Sequence, residues 1–428
     1  MKHRSLLSLT VAAIGATALA VSGAAAASAA STSGKLTYTV DPIAVKSGLS
    51  TGATSPALSL TPAECLAETG FACQTHDSIR AAYDIPATID GVPAGTGQTI
   101  AIIDAFGSPT AASDLAAFSQ TFGLPAADLT VYYPGGKPTW TGKGTQTSWA
   151  QETSLDLQWA HAVAPGAKIA LVVAANDSGA SIDTAEKYVA DNHLGTVLSM
   201  SYGVPDSAIK NANANNGQTQ QGEKALAAAA AAGISVFASS GDSGSDNGAG
   251  YANFAYPASD PNVTAVGGTN LWKGSGLDEP NETVWDDDTA CPLDCSQGAF
   301  GVTGGAPSLF DAKKGSDVAY NASVYTGVLT YLGFLGADNS GLYFMGGTSA
   351  GAPQWAALTA DVMQATGRTV GNVGTLAKSW AAQGLLDDVT VGDNATTTFS
   401  GGFPATAGWD APTGWGTPDV GKIIAARS

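Results

Sequence analysis

Four short runs of β-branched and apolar residues, at Thr99–Asp104, Lys168–Val173, Thr196–Ser201 and Ile234–Ser239, are bounded by Gly, Asp or Ser and are too short for buried helices. They read as parallel strands. Helical stretches alternate with them, at Thr110–Phe122, Ser148–His161, Ile182–Asp191 and Gly222–Ala232. This alternation predicts an α/β fold: a doubly wound, mainly parallel sheet with helices on both faces. Catalytic groups in such a sheet gather at the carboxyl ends of strands and at helix starts. The glycine-rich, tryptophan-bearing region from Trp272 to Leu342 has weak periodicity and reads as long loops with a few strands. No internal repeat is visible.

The ends of the chain follow different rules. Met1-Lys-His-Arg is followed by an apolar stretch from Leu6 to about Val21 and an Ala-Ser-Ala run near Ala29, the three-part layout of a secretory signal. Residues 1–29 are expected to be removed, leaving a secreted, extracellular protein with no membrane association. Residues 30–75 are Ser/Thr/Ala/Pro-rich without firm periodicity and are read as an exposed extension or a short propeptide. The main folded domain is placed at residues 76–428.

Eighteen basic residues stand against 36 acidic ones, a net charge of −18 that loss of Lys2 and Arg4 with the signal makes more negative still. That charge argues against nucleic acid and anionic membrane as partners. It is compatible with a low working pH, at which part of the acidity is neutralised, and equally with simple solubility. The four cysteines form two close pairs, Cys65/Cys73 and Cys291/Cys295, without Cys-x-x-Cys metal spacing. In an oxidising compartment they are expected to be two small-loop disulfides.

Candidate chemistry centres on Ser349. The text Gly346-Gly-Thr-Ser-Ala-Gly-Ala-Pro353 is a glycine turn leading into an apolar helix with proline in its first turn, where no intrahelical amide is lost. Ser349 then sits at a helix start, where free amides favour a developing oxyanion. The Gly347-Thr-Ser-Ala-Gly351 pattern also matches a nucleophile elbow, but that fold needs a histidine after the serine, and His3, His76, His161 and His193 all precede it. Gly241-Asp-Ser-Gly244 echoes a trypsin-like nucleophile loop, which belongs to all-β proteins and conflicts with the α/β alternation.

A base for Ser349 is offered by Ser148-Trp-Ala-Gln-Glu152-Thr-Ser-Leu-Asp156. Ser148 at the N-cap and Gln151 three residues on form a capping box, which predicts a helix start. Glu152 and Asp156 then share one face of an otherwise nearly uncharged, apolar helix. In a partly desolvated site one of the two would hold its proton.

Glu152-x-x-x-Asp156 on a helix followed by Ala-x-Ala-Pro-Gly-Ala, then Ser239-Ser-Gly-Asp242, then Gly-Gly-Thr-Ser349-x-x-x-Pro353, resembles the sedolisin family of serine-carboxyl peptidases. The motifs follow the family order, and the resemblance runs from about Ile79 to Gly416. It implies a subtilisin-like fold with a glutamate in place of histidine, and cleavage of peptide bonds in proteins or peptides at acid pH. By position, Ser349 would attack the carbonyl, Glu152 accept its proton, Asp156 orient Glu152, and protonated Asp242 help hold the oxyanion. It also implies a Ca2+ site, with Asp388 and Asp410 ligating through side chains and Val389, Thr406 and Gly408 through carbonyls, a donor set suited to a hard cation. A monomer is expected.

The chain departs from the family pattern in two places. Only residues 30–75 lie between the signal and His76 where relatives carry a much longer folded prosegment, and Asn321 stands where relatives commonly have an acid. Two other readings compete. A histidine-dependent, subtilisin-like protease would use Asp104, His161 and Ser349, but the Gly-rich His-Gly-Thr-His context is absent, and His161 lies some 140° around the helix from the acidic face at roughly 100° per residue. A homologue without turnover, acting as a binding protein, is opposed by retention of all four catalytic residue types.

Overall fold

The computed structural model describes residues 36–49, 58–210, 219–290, 293, 300–310 and 313–427. The proposed signal and the Cys291/Cys295 pair lie outside these residues.

The central sheet is built from Thr99–Ala105 (β2), Asp128–Tyr132 (β3), Lys168–Ala174 (β4), Val197–Met200 (β5), Ser235–Ser239 (β6), Thr264–Leu271 (β7), Glu282–Val284 (β8) and Val318–Asn321 (β9). Its order is β8-β7-β6-β5-β2-β4-β3, with β9 also paired to β7. Every pairing is parallel except that of β7 with β8. Strand β2 shows why the sheet carries helices on both sides. Ile100 and Ile102 enter one core and Ala101, Ile103 and Ala105 the other, so neither face of the strand is polar.

One face is covered by Gln146–Val163 (α4) and Gly351–Thr366 (α7), whose Trp159, Trp355 and Leu358 join Ile100 and Ile102. The other is covered by Gly179–Asp191 (α5) and Thr219–Ala231 (α6), whose Ile182, Val189 and Leu226 join Ala101 and Ile103. All four expected strands and all four expected helices, including Ala111–Phe122 (α3), are present within a few residues of their expected ends.

Two expectations fail. Helix α4 starts at Gln146 with Thr145 as N-cap and has no side-chain cap bond, so Ser148 and Gln151 form no capping box. Gln146 instead accepts hydrogen bonds from the Thr141 amide and hydroxyl, which ties the preceding loop to the first turn. Of the two readings of residues 30–75, the exposed extension does not hold where these residues are described, whereas the short propeptide is a separate matter on which their packing has no bearing. Ile43–Lys46 (β1) pairs antiparallel with Gly341–Gly346 (β11), which pairs in turn with Val328–Leu332 (β10). Pro62–Thr69 (α1) and His76–Tyr83 (α2) follow, both closed by capping boxes, and a Cys65–Cys73 disulfide spans the turn between them. Phe71 stacks between Tyr325 and Phe344, at ring distances of 5.4 and 4.7 Å.

Asn321 has a structural account. Its side chain accepts from the Leu271 amide and the Thr326 hydroxyl and donates to the Thr326 carbonyl, closing a buried junction between β7 and the loop after β9. A neutral amide meets both donors and acceptor; a carboxylate has no donor for the carbonyl.

Candidate active site

Ser349 is delivered by the turn between β11 and α7. Gly347, at φ 107°, occupies the region that favours glycine, and a Cβ there would lie 2.6 Å from Asp242 Oδ2. The glycine thus lets the Asp242 carboxyl approach the serine turn. A short 3-10 turn, Thr348–Ala350, carries Ser349 into α7, with Pro353 in the first turn of that helix. The serine is 6% exposed, and its Oγ makes only a long contact, 3.4 Å, to the Ser201 carbonyl. Its proton is therefore not firmly committed elsewhere.

Glu152 and Asp156 are fully buried on α4, which is enclosed from Trp149 to Val163. The Ser201 hydroxyl donates to Asp156 Oδ1 at 2.8 Å. Both oxygens of Glu152 are buried without a partner in ordinary hydrogen-bond geometry. Desolvation holds the Glu152 carboxyl well above the usual range, reinforced by the Asp104 charge and opposed by the adjacent Ser349 hydroxyl. Asp156 is raised in the same way, by desolvation and then by Asp104 and Glu152. Removing a proton from the Ser349 side would place it on a carboxylate that has no competing donor.

Asp242 follows β6 in a loop crossing to the serine turn. Its Oδ1 accepts from the Thr348 amide at 2.8 Å and the Thr348 hydroxyl at 2.6 Å, which leaves Oδ2 toward Gly347. Desolvation pushes this carboxyl up to about 6 against those hydrogen bonds. It can therefore carry a proton, and donate it in a hydrogen bond, in weakly acid solution.

His161 is elsewhere. Its Nε2 lies 2.9 Å from the Pro125 carbonyl, the ring is buried, and desolvation lowers its pKa. It packs on the side of α4 away from the acidic face, so the histidine arrangement has no base at Ser349. Asp104, the remaining acid of that arrangement, is fully buried at the end of β2, and desolvation pushes it up to about 7. It joins Glu152 and Asp156 as a third carboxyl, which the carboxylate reading had not included. An aspartate closing an otherwise apolar central strand was the signal for it. Ser201, at the end of β5, is the second unassigned contributor.

Asp388, Val389, Thr406, Gly408 and Asp410 come together around one loop. The Gly408 amide donates to Asp388 Oδ2 at 2.8 Å, and Asp410 accepts from the Thr406 and Thr413 amides. Burial raises the Asp410 carboxyl, and the neighbouring Asp388 charge adds to the rise. Asp387 instead pairs in a strand with Thr417. Among the described residues no three His, Cys, Asp or Glu side chains converge in a metal-holding group, so a cation here would depend on backbone carbonyls as well as the two carboxylates.

Known proteins share this architecture. The subtilase family pattern matches residues 95–408. Kumamolisin of Bacillus sp. (strain MN-32) is 32% identical over 363 residues, covering 81% of this chain and 62% of that protein. Sedolisin of Pseudomonas sp. (strain 101) is 31% identical over 362 residues, covering 78% of this chain and 58% of that protein. The chain thus spans about 60% of the length of these relatives. A solved structure of Pseudomonas sedolisin, a serine-carboxyl proteinase complexed with two molecules of pseudo-iodotyrostatin, superposes with a TM-score of 0.69 at 28% identity, over 83% of this chain and 97% of that one. With the doubly wound sheet, the serine turn and these matches agreeing, the chain belongs to the subtilase family.

Proposed function

We propose that this protein is a secreted serine-carboxyl peptidase that hydrolyses peptide bonds in proteins or peptides at acid pH. The observation that carries the reading is the enclosure of Ser349 by buried carboxyls while His161 faces Pro125. The likeness to kumamolisin and sedolisin supports it. Glu152 takes the Ser349 proton as Oγ attacks the substrate carbonyl; Asp156, held by Ser201, and Asp104 each keep a proton, so that the three carboxyls carry a single charge, on Glu152, before the transfer. The developing oxyanion receives a hydrogen bond from protonated Asp242. Glu152 then returns its proton to the leaving amine, and water hydrolyses the resulting ester with Glu152 again as base.

The paired carboxylates of Asp388 and Asp410 repel one another across a glycine loop, a set of hard donors that a bound Ca2+ would relieve, with Val389, Thr406 and Gly408 offering carbonyls. Its contribution would be to hold that loop rather than to take part in turnover. Export rests on the amino-terminal pattern, and among the described residues no helix is long and apolar enough to cross a membrane.

A pH-activity profile of the purified protein on an unstructured protein substrate tests the assignment. An acid optimum that vanishes in Ser349→Ala is expected. A neutral optimum points to histidine chemistry, and no hydrolysis at any pH removes the peptidase reading.

A further inference from the structure

Asp287 lies three residues past β8, is 2% exposed, and takes no part in the proposed proton transfers. Four residues aim donors at its carboxyl. Ser323 Oγ donates to Oδ1 at 2.7 Å and lies 3.0 Å from Oδ2, and Trp285 Nε1 donates to Oδ2 at 2.9 Å. The Val324 amide reaches Oδ2 and Asn270 Nδ2 reaches Oδ1, each at 3.3 Å. All four donors are neutral. A carboxyl enclosed this way is costly to desolvate, and what sets it apart from an apolar filling is that its two oxygens hold an indole, a serine and a loop amide in one arrangement. Because Ser323 Oγ reaches both oxygens, its hydroxyl can accept from Oδ1 when the carboxyl is protonated and still donate to Oδ2, so the arrangement survives in acid.

What these groups touch leads to the serine on one side and to Asp242 on the other. The amides of Ala322 and Ser323 both bond to the Thr269 carbonyl of β7, at 2.8 and 3.2 Å, and Ser323 Oγ accepts from the Tyr325 amide at 3.1 Å. On the loop pinned in this way rests the serine turn. The Gly347 amide donates to the Ala322 carbonyl at 2.7 Å, and a Cβ on Gly346 would lie 2.4 Å from that carbonyl oxygen and 2.9 Å from the Val324 nitrogen. The indole is the second support. A Cβ on Gly268 would lie 2.8 Å from Trp285 Cε3, 2.8 Å from Ala322 Cβ and 3.2 Å from Thr348 Cγ2, so the ring packs among the pieces that carry Ser349. Its far edge reaches the oxyanion acid. A Cβ on Gly301 would lie 2.9 Å from both Trp285 Cζ2 and the Asp242 carbonyl oxygen. The Asp287 amide itself donates to the Gly301 carbonyl at 2.9 Å, and the next amide along, that of Val302, donates to the Asp242 carbonyl at 3.1 Å.

We propose that Asp287 is a positioning residue for the peptidase chemistry: its carboxyl sets the spacing between Ser349 and Asp242 by fixing both the loop on which the serine turn rests and the indole packed between that turn and the Asp242 loop. Attack on a carbonyl and capture of the oxyanion must happen in one geometry, and a displacement of about 1 Å between the two groups costs on the order of 100-fold in rate. Substrate binding does not pass through Asp287, because its contacts are all internal to the protein. Losing it therefore lowers kcat and leaves KM nearly as it was. The role in turnover rests on the peptidase reading; the placement of Ser349 does not.

The test compares the full chain with its Asp287→Ala, Asp287→Asn and Asp286→Ala variants, by kcat and KM on one peptide substrate and by crystal structure. Asp287→Ala is expected to lose at least ~10-fold in kcat with KM within ~2-fold, and its structure to show Ser349 moved by at least ~0.5 Å relative to Asp242. Asp287→Asn, which still accepts from Trp285 and Val324 and can donate to Ser323 Oγ, is expected to stay within ~3-fold of the parent in kcat. Asp286 is the control, equally buried but with a carboxyl that closes its own turn on the amides of Asp288 and Thr289 and the Thr289 hydroxyl, and Asp286→Ala is expected to lose stability and keep kcat. An unmoved Ser349 in Asp287→Ala, an equal loss of kcat in Asp286→Ala, or an asparagine variant as slow as the alanine one overturns the proposal. If Asp287→Ala does not fold, Ser323→Ala replaces it with a smaller expected loss, at least ~3-fold in kcat, and an unchanged kcat there is the contrary result. Absence of hydrolysis by the parent protein counts against the peptidase reading, and the displacement of Ser349 then decides the positioning claim by itself.

Discussion

At the scale of single residues, the site depends on where protons reside. Asp242 is pushed up to about 6, so in the proposed mechanism it would be a donor toward an oxyanion below that pH and a repelling charge above it. Asp242→Asn should retain partial activity, because an amide oxygen still accepts from Thr348 and an amide nitrogen donates where the protonated Oδ2 did. The expected readout is a kcat/KM profile whose fall through about pH 6 is lost in the variant; an unchanged fall assigns that limb to another group. Ser349, Glu152, Asp156 and Asp242 were legible because each stands out locally: a serine in a glycine turn, and acids among apolar neighbours. Asp104 and Ser201 were harder to place with them. Each ends a strand, and their contact with α4 exists only through tertiary packing. The face argument for His161 corresponds to its bond with Pro125.

At the scale of elements, periodicity carried the central strands and helices because each buries apolar positions on both sides of the sheet. The start of α4 was misread because Ser148 and Gln151 mimic a cap inside a helix whose first turn is fixed by Thr145 and the preceding loop. The exposed-extension reading of the amino-terminal stretch failed for a related reason. Its pairing partners, Gly203 and β11, lie far along the chain, so no local period announces them. The carboxy-terminal loop gives an element-scale prediction. If Ca2+ binds between Asp388 and Asp410, saturating chelator should lower the thermal midpoint of the metal-loaded protein by RT ln(1 + [L]/Kd) in free-energy terms, and Asp410→Asn should remove most of that response. A midpoint indifferent to chelator, with metal verified absent, removes the site.

At the scale of the whole molecule, acidity is folded inward. Asp104 and Asp183 are pushed up to about 7, Glu186 to about 8, and Asp287 to about 6, in each case chiefly by desolvation. A carboxyl whose folded pKa is raised binds its proton more tightly in the native state, so its contribution is fully present below the unfolded pKa of about 4 and is lost as pH rises through the folded value. The net charge of −18 at pH 7 adds self-repulsion in the same direction. Urea unfolding should therefore give a higher midpoint at pH 4 than at pH 8, with the loss running from about 4, where the unfolded carboxyls ionise, up to the folded values of about 6 to 8. A midpoint that climbs across that window contradicts this view of the interior.

The central claim is that a glutamate, not a histidine, takes the proton from Ser349. Glu152→Gln is nearly isosteric and leaves α4 packed, but it has no basic oxygen of comparable strength, so its loss of kcat should approach that of Ser349→Ala, as for groups acting as one unit. His161→Gln can still donate to the Pro125 carbonyl and should keep most activity. The direct measurement is kcat/KM of these two variants beside the parent on one peptide substrate at the acid optimum. The account predicts a dead Glu152→Gln and an active His161→Gln; an active Glu152→Gln with a dead His161→Gln contradicts it.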